Sequence, residues 1–104
     1  MKIKVQSIHF DADKKLIQFV EGKVDKLKQF YEHILEGEVF LRLDKNVTQE
    51  NKIAEIKIST PGKILFASEQ CATFEQAADK SVEALKKQIT KHKQKQYRDW
   101  ETRR

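Results

Sequence analysis

Six cationic side chains lie in residues 84–98, a segment without aspartate or glutamate in a chain that carries 16 acidic residues. Five of the six are lysines, whose ammonium groups bind phosphate oxygens as compact point charges. With 3.6 residues per helical turn, the side opposite the apolar stripe collects Lys80, Lys87, Lys91 and Arg98, while Lys86 and Lys93 lie on one flank and Lys95 on the other. This pattern predicts a helix surface that binds a polyanion.

An ordinary solvated surface is the alternative interpretation, and many lysine-rich helix surfaces are of that kind. A helix that needs only solubility usually intersperses glutamate, because each i,i+4 ion pair adds ~0.2–0.5 kcal/mol. Residues 84–98 contain no such pairs. Their absence favours the polyanion-binding interpretation.

A second cationic sector is predicted on the first helix, apart from the sector that holds its carboxylates. Its members are Lys15, Lys23 and Lys26. If the two helices lie side by side on a sheet, this sector adjoins the lysines of the second helix. The result would be a basic surface two helices wide.

The composition limits the class of protein and of partner. The 104 residues suffice for one small domain with a single core. A net charge of +5 and an isoelectric point of about 9.3 favour a polyanionic partner, which is nucleic acid more often than an anionic membrane. Because the sequence shows neither a membrane-spanning apolar run nor a signal peptide, we expect a cytoplasmic protein. The single cysteine, Cys71, excludes an internal disulfide and fits a reducing compartment.

The first part of the chain predicts a strand and a helix. Residues 3–10 alternate apolar and polar types. From Ile8 onward the apolar residues stand at even instead of odd positions, and this shift predicts a β-bulge. Asp13 is typical of a helix N-cap, and an apolar stripe at helical spacing follows up to Ile34, flanked by Phe19 and Phe30. We expect this helix to end at Gly37.

Three strands and a second helix are predicted next. Residues 38–43, 53–59 and 64–70 alternate as strands, residues 44–52 form a polar loop, and Thr60-Pro61-Gly62-Lys63 predicts a type II turn. Thr73 and Gln76 predict a capping box before a helix with an apolar stripe from Phe74 to Ile89. The order β-α-β-β-β-α and the one-sided alternation predict an α+β two-layer sandwich, a four-stranded sheet with both helices packed on one face.

Patterns typical of catalysis or metal binding are missing from the sequence. The histidines lie on three different elements without partners at ligand spacing: His9, His33 and His92. We therefore expect no metal, no cofactor and no enzymatic activity. Cys71 is interpreted as a small packing residue. His92 either packs at the edge of the core or contacts RNA, and Tyr97 and Trp100 either close the core or stack on bases.

A stripe of lysines positions a phosphate backbone but reads no base sequence. Zinc-finger, helix-turn-helix and RRM-type patterns are missing, so a structured RNA recognised by its shape is the favoured partner. Two alternatives stay open. One is a general module for double-stranded RNA, and the other is a protein-interaction domain that docks an acidic partner or adds a strand at the sheet edge. The second predicts an apolar patch at Phe40, Ile64 and Phe66 on the uncovered side of the sheet.

Three stretches of the sequence carry a resemblance to a known family. Residues 60–68, TPGKILFAS, are close to the family pattern T-P-x-x-x-L-x-A-S, and Asp13 begins the first helix after the first strand. The second helix of the family tends to show an aliphatic residue, a basic residue, glutamine, an aliphatic residue and lysine, which match Leu85, Lys87, Gln88, Ile89 and Lys91. From about Lys2 to Lys95, the chain resembles the short form of the ribosome hibernation promoting factors, also called ribosome-associated inhibitor A or protein Y.

The resemblance implies a domain that binds the small ribosomal subunit between its head and body, across the mRNA path and the A and P sites of tRNA. Such a factor inhibits translation and preserves idle ribosomes in a stress response. Its partners would be the small subunit, through 16S rRNA, and the 70S ribosome, without a membrane or a small-molecule substrate. Off the ribosome we expect a monomer.

The family's rRNA contacts correspond by position to four lysines of this chain: Lys23 and Lys26 on the first helix, and Lys87 and Lys91 on the second. The charge pattern adds four more RNA-binding candidates: Lys80, Lys86, Lys93 and Lys95. Glu75 stands where the family often has tyrosine, so any contact of that tyrosine is lost. Lys87 replaces a frequent arginine, which keeps the charge but gives up bidentate geometry.

The long forms of the family carry a C-terminal domain that dimerises and so pairs ribosomes. No such domain follows the second helix in this sequence. We therefore expect the short type, with residues 1–100 as a single ribosome-binding domain and residues 101–104 as a disordered basic tail. A short-type factor pairs ribosomes only with a second factor, or acts on single ribosomes.

Overall fold

The computed structural model describes the backbone of residues 1–102 and the side chains of residues 1–94. A four-stranded mixed sheet is covered on one face by two α-helices, which confirms the predicted α+β fold. The strands are β1 (Lys2–Ser7), β2 (Glu36–Leu43), β3 (Lys52–Thr60) and β4 (Lys63–Cys71), and the helices are α1 (Lys14–Asp25) and α2 (Phe74–Thr102). Within the described residues, no helix is both long and apolar enough to cross a membrane.

The strands lie in chain order across the sheet. β1 is parallel to β2, with Lys2 opposite Glu36, and α1 supplies the crossover that a parallel pair requires. The pairs β2–β3 and β3–β4 are antiparallel. The last hairpin closes between Thr60 and Lys63, where Gly62 has φ of 79°, the positive value expected at the third position of a type II turn.

The core lies between the helices and one face of the sheet, and the predicted apolar stripes supply most of it. Its largest fully buried apolar side chains are Val20, Val24, Leu27, Val39, Leu41, Ile56, Ile58, Leu85 and Ile89. Ser81 is buried among them, and its hydroxyl donates a hydrogen bond to the carbonyl oxygen of Ala54 at 3.1 Å. This bond joins α2 to β3.

Both helices begin at the predicted caps. The Asp13 carboxylate accepts a hydrogen bond from the Leu16 N–H at 2.8 Å, and the Thr73 hydroxyl accepts one from the Gln76 N–H at 3.1 Å. Each bond satisfies a backbone donor that has no partner within its helix. The caps fix where the two lysine-bearing helices start, and thereby the register of their side chains.

The prediction for the end of the first helix is wrong. α1 ends at Asp25, a 3₁₀ turn (Lys26–Gln29) follows it, and Gly37 lies inside β2. The chain leaves the helix early because the crossover must return to the start of β2, next to the start of β1. Tyr31 and Ile34 are nevertheless buried in the irregular connection. Their helical spacing therefore reflects burial rather than a continued helix.

The predicted bulge in the first strand is also wrong. β1 ends at Ser7, and His9 adopts a left-handed conformation with φ of 63°. The Ile8 N–H still donates to the carbonyl oxygen of Leu41 at 2.8 Å. The shift of the apolar residues to even positions therefore marks a turn out of the sheet. After this turn, the ring of Phe10 stacks on that of Phe74, with 4.9 Å between the ring centroids.

Candidate nucleic-acid interface

Helices α1 and α2 lie side by side on the sheet, as the basic surface requires. The Lys23 ammonium of α1 lies 3.1 Å from a carboxylate oxygen of Asp79 on α2, which joins the two helices directly. We call the line of contact between α1, the 3₁₀ turn and α2 the helix seam. Its polar contacts involve Lys23, Asp79, Lys86 and Lys93, together with Phe30 just after the 3₁₀ turn.

Phe30 is the meeting point of two lysines from α2. The Lys86 ammonium lies 5.1 Å from the centroid of the Phe30 ring and 3.1 Å from a carboxylate oxygen of Glu83. The Lys93 ammonium donates a hydrogen bond to the carbonyl oxygen of Phe30 at 2.6 Å. Both lysines therefore lean from α2 toward the first helix, as their predicted flank position requires.

Three other lysines of α2 are exposed and lie, by helical spacing, opposite its apolar stripe. These outer lysines are Lys80, Lys87 and Lys91. None of them forms an ion pair with another side chain in the described range, residues 1–94. Lys26, in the 3₁₀ turn, is exposed in the same way. Four ammonium groups on the helix side of the molecule are thus accessible to phosphate oxygens without breaking an ion pair.

Of the seven predicted RNA-binding lysines whose side chains are described, Lys23 and Lys86 are paired with carboxylates. Exposed ion pairs of this kind contribute only about 0–1 kcal/mol. An incoming phosphate, which carries a full negative charge, can therefore take the place of Asp79 or Glu83. The side chains of Lys95, Tyr97, Arg98 and Trp100 lie outside the described range. Of the predicted tail, the side chains of residues 101 and 102 and the whole of residues 103 and 104 also lie outside it.

The acidic groups and the aromatic ring at the seam were not predicted from the sequence. Asp79 and Glu83 lie four residues apart and hence on one side of α2. This spacing could have indicated an acidic group beside the lysines. Phe19 and Phe30 flank the apolar stripe of the first helix, and both stay exposed, by 39% and 44%. Which neighbour each of these side chains meets depends on how the two helices pack, and a single helix pattern does not contain that information.

The remaining candidates for chemistry are in packed positions. The His92 ring meets the Tyr31 ring edge-on at 5.6 Å between centroids, and its buried Nε2 has no hydrogen-bond partner among the described residues. This position favours packing over contact with RNA. Cys71 is buried in the core. The described residues contain no group of three histidine, cysteine, aspartate or glutamate side chains placed to hold a metal ion.

The uncovered face of the sheet shows part of the predicted apolar patch. Ile64 and Phe66 on β4 are 59% and 50% exposed, while Phe40 on β2 is partly buried. β4 forms one edge of the sheet. The Gln88 side-chain amide of α2 donates to the carbonyl oxygen of Phe66 at 2.8 Å, so one acceptor of this strand already has a partner.

Comparisons with known proteins agree on a family. The model for the family described as Sigma 54 modulation protein / S30EA ribosomal protein matches residues 3–97. The chain is 30% identical over 95 residues to a ribosome hibernation promoting factor from Klebsiella oxytoca, a match that covers 91% of this chain and 96% of that protein.

Solved structures agree with the fold. The crystal structure of the Protein Y N-terminal domain from Thermus thermophilus has a TM-score of 0.77 at 25% identity, covering 88% of this chain and 99% of that one. A ribosomal subunit interface protein from Coxiella burnetii shares the fold with a TM-score of 0.80 at 19% identity, covering 89% and 98%. The resemblance seen in the hairpin and the second helix is therefore confirmed, and the chain belongs to the Sigma 54 modulation protein / S30EA ribosomal protein family.

Proposed function

We propose that this protein is a ribosome hibernation factor, which binds the small ribosomal subunit and inhibits translation by occupying the channel of mRNA and tRNA. The observation that carries the proposal is the family match over residues 3–97, together with the 30% identity to a protein named ribosome hibernation promoting factor. The exposed lysines of the helix side supply the chemistry that rRNA would require. A partner of this kind places the protein in the cytoplasm.

The proposed interface consists of the outer lysines, Lys80, Lys87 and Lys91, extended toward α1 by Lys23, Lys26, Lys86 and Lys93 and toward the C-terminus by Lys95. Affinity comes from lysine–phosphate contacts that release counterions from the RNA. Inhibition follows from steric exclusion, because mRNA and tRNA cannot enter the channel while a folded domain occupies it. No covalent step is involved, and 16S rRNA is the part of the subunit that the lysines contact.

The test of this function is co-sedimentation with purified 30S subunits, 50S subunits and 70S ribosomes. We expect saturable binding to 30S and 70S particles, and loss of that binding when mRNA and tRNA are bound beforehand. Binding that survives the mRNA and tRNA challenge would contradict the occupancy mechanism. Equal competition by a free RNA duplex would favour a general module for double-stranded RNA instead.

The assigned face is tested by replacing Lys87→Glu together with Lys91→Glu. Both side chains are exposed and unpaired with described groups, so the fold should persist while two attractive contacts become repulsive. We expect sedimentation with 30S subunits to be abolished, with an unchanged circular dichroism spectrum. The matched control is Lys45→Glu with Lys63→Glu, which changes the charge equally at exposed positions away from the helices. If the control loses binding as completely as the test variant, the helix face is not the interface.

A second candidate, a protein-interaction domain, is favoured by one observation, the exposure of Ile64 and Phe66 on the uncovered sheet face. Strand addition at the β4 edge would first have to displace Gln88 from the Phe66 carbonyl oxygen. Binding through this face would resist nuclease treatment and would be lost on Phe66→Ser. Binding through the lysines shows the opposite response to both treatments.

A further inference from the structure

We propose that Phe30 is a stacking platform for an unpaired nucleobase of the bound RNA, with Lys86 and Lys93 holding the adjoining phosphates. The proposal rests on the proposed function, since it takes the polyanion to be RNA. It adds a base-binding site to a surface that otherwise offers only charge.

The ring of Phe30 is exposed, although its backbone is firmly held. Its side chain is 44% exposed, while the next residue, Tyr31, is buried in the core. The N–H groups of both residues donate to the carbonyl oxygen of Leu27, at 3.0 and 3.2 Å. A phenyl ring gains free energy when its surface leaves water. An exposed ring on a hydrogen-bonded backbone, beside a proposed RNA surface, is therefore placed to receive a flat ligand.

The cations around Phe30 fit a nucleotide. The Lys86 ammonium lies 5.1 Å from the ring centroid, and the Lys93 ammonium bonds to the carbonyl oxygen of Phe30 itself at 2.6 Å. Single-stranded nucleic acid is bound by this combination, in which bases stack on an aromatic ring and cations track the phosphates. Because every base has a π-face, the site should tolerate different base sequences.

Phe19 is the natural control, since it shares most of these features. It is 39% exposed, and the Lys23 ammonium lies 5.6 Å from its ring centroid. However, Phe19 lines a cavity whose other lining residues include three acidic ones, Asp11, Asp13 and Glu75, against one lysine, Lys15. The lining therefore carries a net negative charge, which is not the case for the two lysines and one carboxylate around Phe30. Phosphates would be repelled from the Phe19 cavity. The proposal therefore assigns the base to Phe30 and not to Phe19.

Tryptophan fluorescence tests the stacking directly. The chain has a single tryptophan, Trp100, so Phe30→Trp in a Trp100→Phe background places the only indole at the platform. We expect its emission to be quenched when 30S subunits, or a single-stranded oligoadenylate, are added. A perfect duplex RNA, whose bases are already stacked, should quench it much less. Phe19→Trp in the same background should show little change with any of these ligands.

Affinity measurements on the full chain complete the test. Phe30→Ala should weaken binding to 30S subunits by about 5- to 150-fold, the range for loss of one stacked base. Phe30→Tyr should bind like the parent, and Phe30→Leu, which keeps the apolar bulk without a π-face, should bind like Phe30→Ala. Phe19→Ala should change affinity by less than about 2-fold if stacking is confined to Phe30.

The outcomes separate this proposal from the function it rests on. If the unaltered protein binds 30S subunits but the indole at position 30 keeps its emission, or if Phe30→Leu binds like the parent, the stacking site is wrong and the hibernation factor stands. If the unaltered protein does not bind 30S subunits, the proposed function is wrong, and the response to oligoadenylate still decides whether Phe30 stacks on a base.

Discussion

At the scale of single residues, the seam lysines differ from the outer lysines in the partners they already have. In the proposed interface, Lys23 and Lys86 would exchange a carboxylate for a phosphate, whereas Lys87 and Lys91 would gain an anionic partner where they have none among the described side chains. The two groups should therefore differ in energetic effect. Charge removal at the outer lysines should cost more affinity than at the paired ones, because no carboxylate competes there.

Ser81 makes a buried side-chain hydrogen bond between α2 and the sheet. Its buried hydroxyl donates to the Ala54 carbonyl oxygen, so Ser81→Ala should lower the free energy of unfolding by about 0.5–1.5 kcal/mol. Urea denaturation followed by circular dichroism measures this change. Ser68→Ala, at an exposed position on β4, is the control and should stay within about 0.5 kcal/mol of the parent. Equal stability of the two variants would show that the bond has no net effect.

At the scale of elements, the two glycines of the first half of the chain have opposite surroundings. A Cβ at Gly22, within α1, would meet nothing within 4 Å apart from the helix's own nearby backbone and its two chain neighbours. A Cβ at Gly37, in β2, would lie 3.2 Å from Cγ1 of Val24 and 3.3 Å from Cδ1 of Ile58. Gly37 therefore sets how closely α1 approaches the sheet.

These surroundings predict opposite effects of the same substitution. Gly22→Ala should raise the free energy of unfolding by about 0.5–1 kcal/mol, because alanine loses less conformational entropy in a helix. Gly37→Ala should lower it by about 1–3 kcal/mol, because the added methyl group overpacks the core. Thermal or urea unfolding of both variants checks the pair. Stabilisation by Gly37→Ala would mean that Val24 and Ile58 move aside at little cost.

The elements themselves could be predicted from the sequence, but not all of their ends. Caps such as Asp13 and the turn at Gly62 are local, because one side chain or one backbone angle determines them. The end of α1 is not local, since the position of β2 beside β1 decides it. The spacing of Tyr31 and Ile34 records burial and not helix. The lysine sectors follow from the spacing within one helix and were therefore predictable. The pairing of Lys23 with Asp79 depends on how two helices pack, so it could not be read from either helix alone.

At the scale of the whole molecule, the net charge is +5, and the lysines differ in whether they already have an anionic partner. Eight lysines are proposed to bind RNA, and among the seven whose side chains are described, two are paired with carboxylates. The other five of those seven, together with Lys95, would release counterions from phosphates. The number of charges neutralised, rather than the area of contact, should govern how binding responds to salt.

The affinity for 30S subunits should accordingly fall roughly a thousandfold between about 50 and 200 mM monovalent salt, if about six phosphates are neutralised. Equilibrium binding at four or more salt concentrations gives the slope of the logarithmic plot. The Lys87→Glu and Lys91→Glu variant should show a shallower slope in whatever binding remains at low salt. A slope near zero for the unaltered protein would point to an interface without phosphate contacts.

The parallel edge of the sheet also has a consequence for how the chain folds. A single turn separates β3 from β4, whereas the whole first helix and the connection after it separate β1 from its partner β2. Closing a short loop costs less chain entropy, so the β3–β4 hairpin should form early and β1 should dock last. During synthesis β1 leaves the ribosome before β2, so it has no pairing partner until Glu36–Leu43 has followed it out.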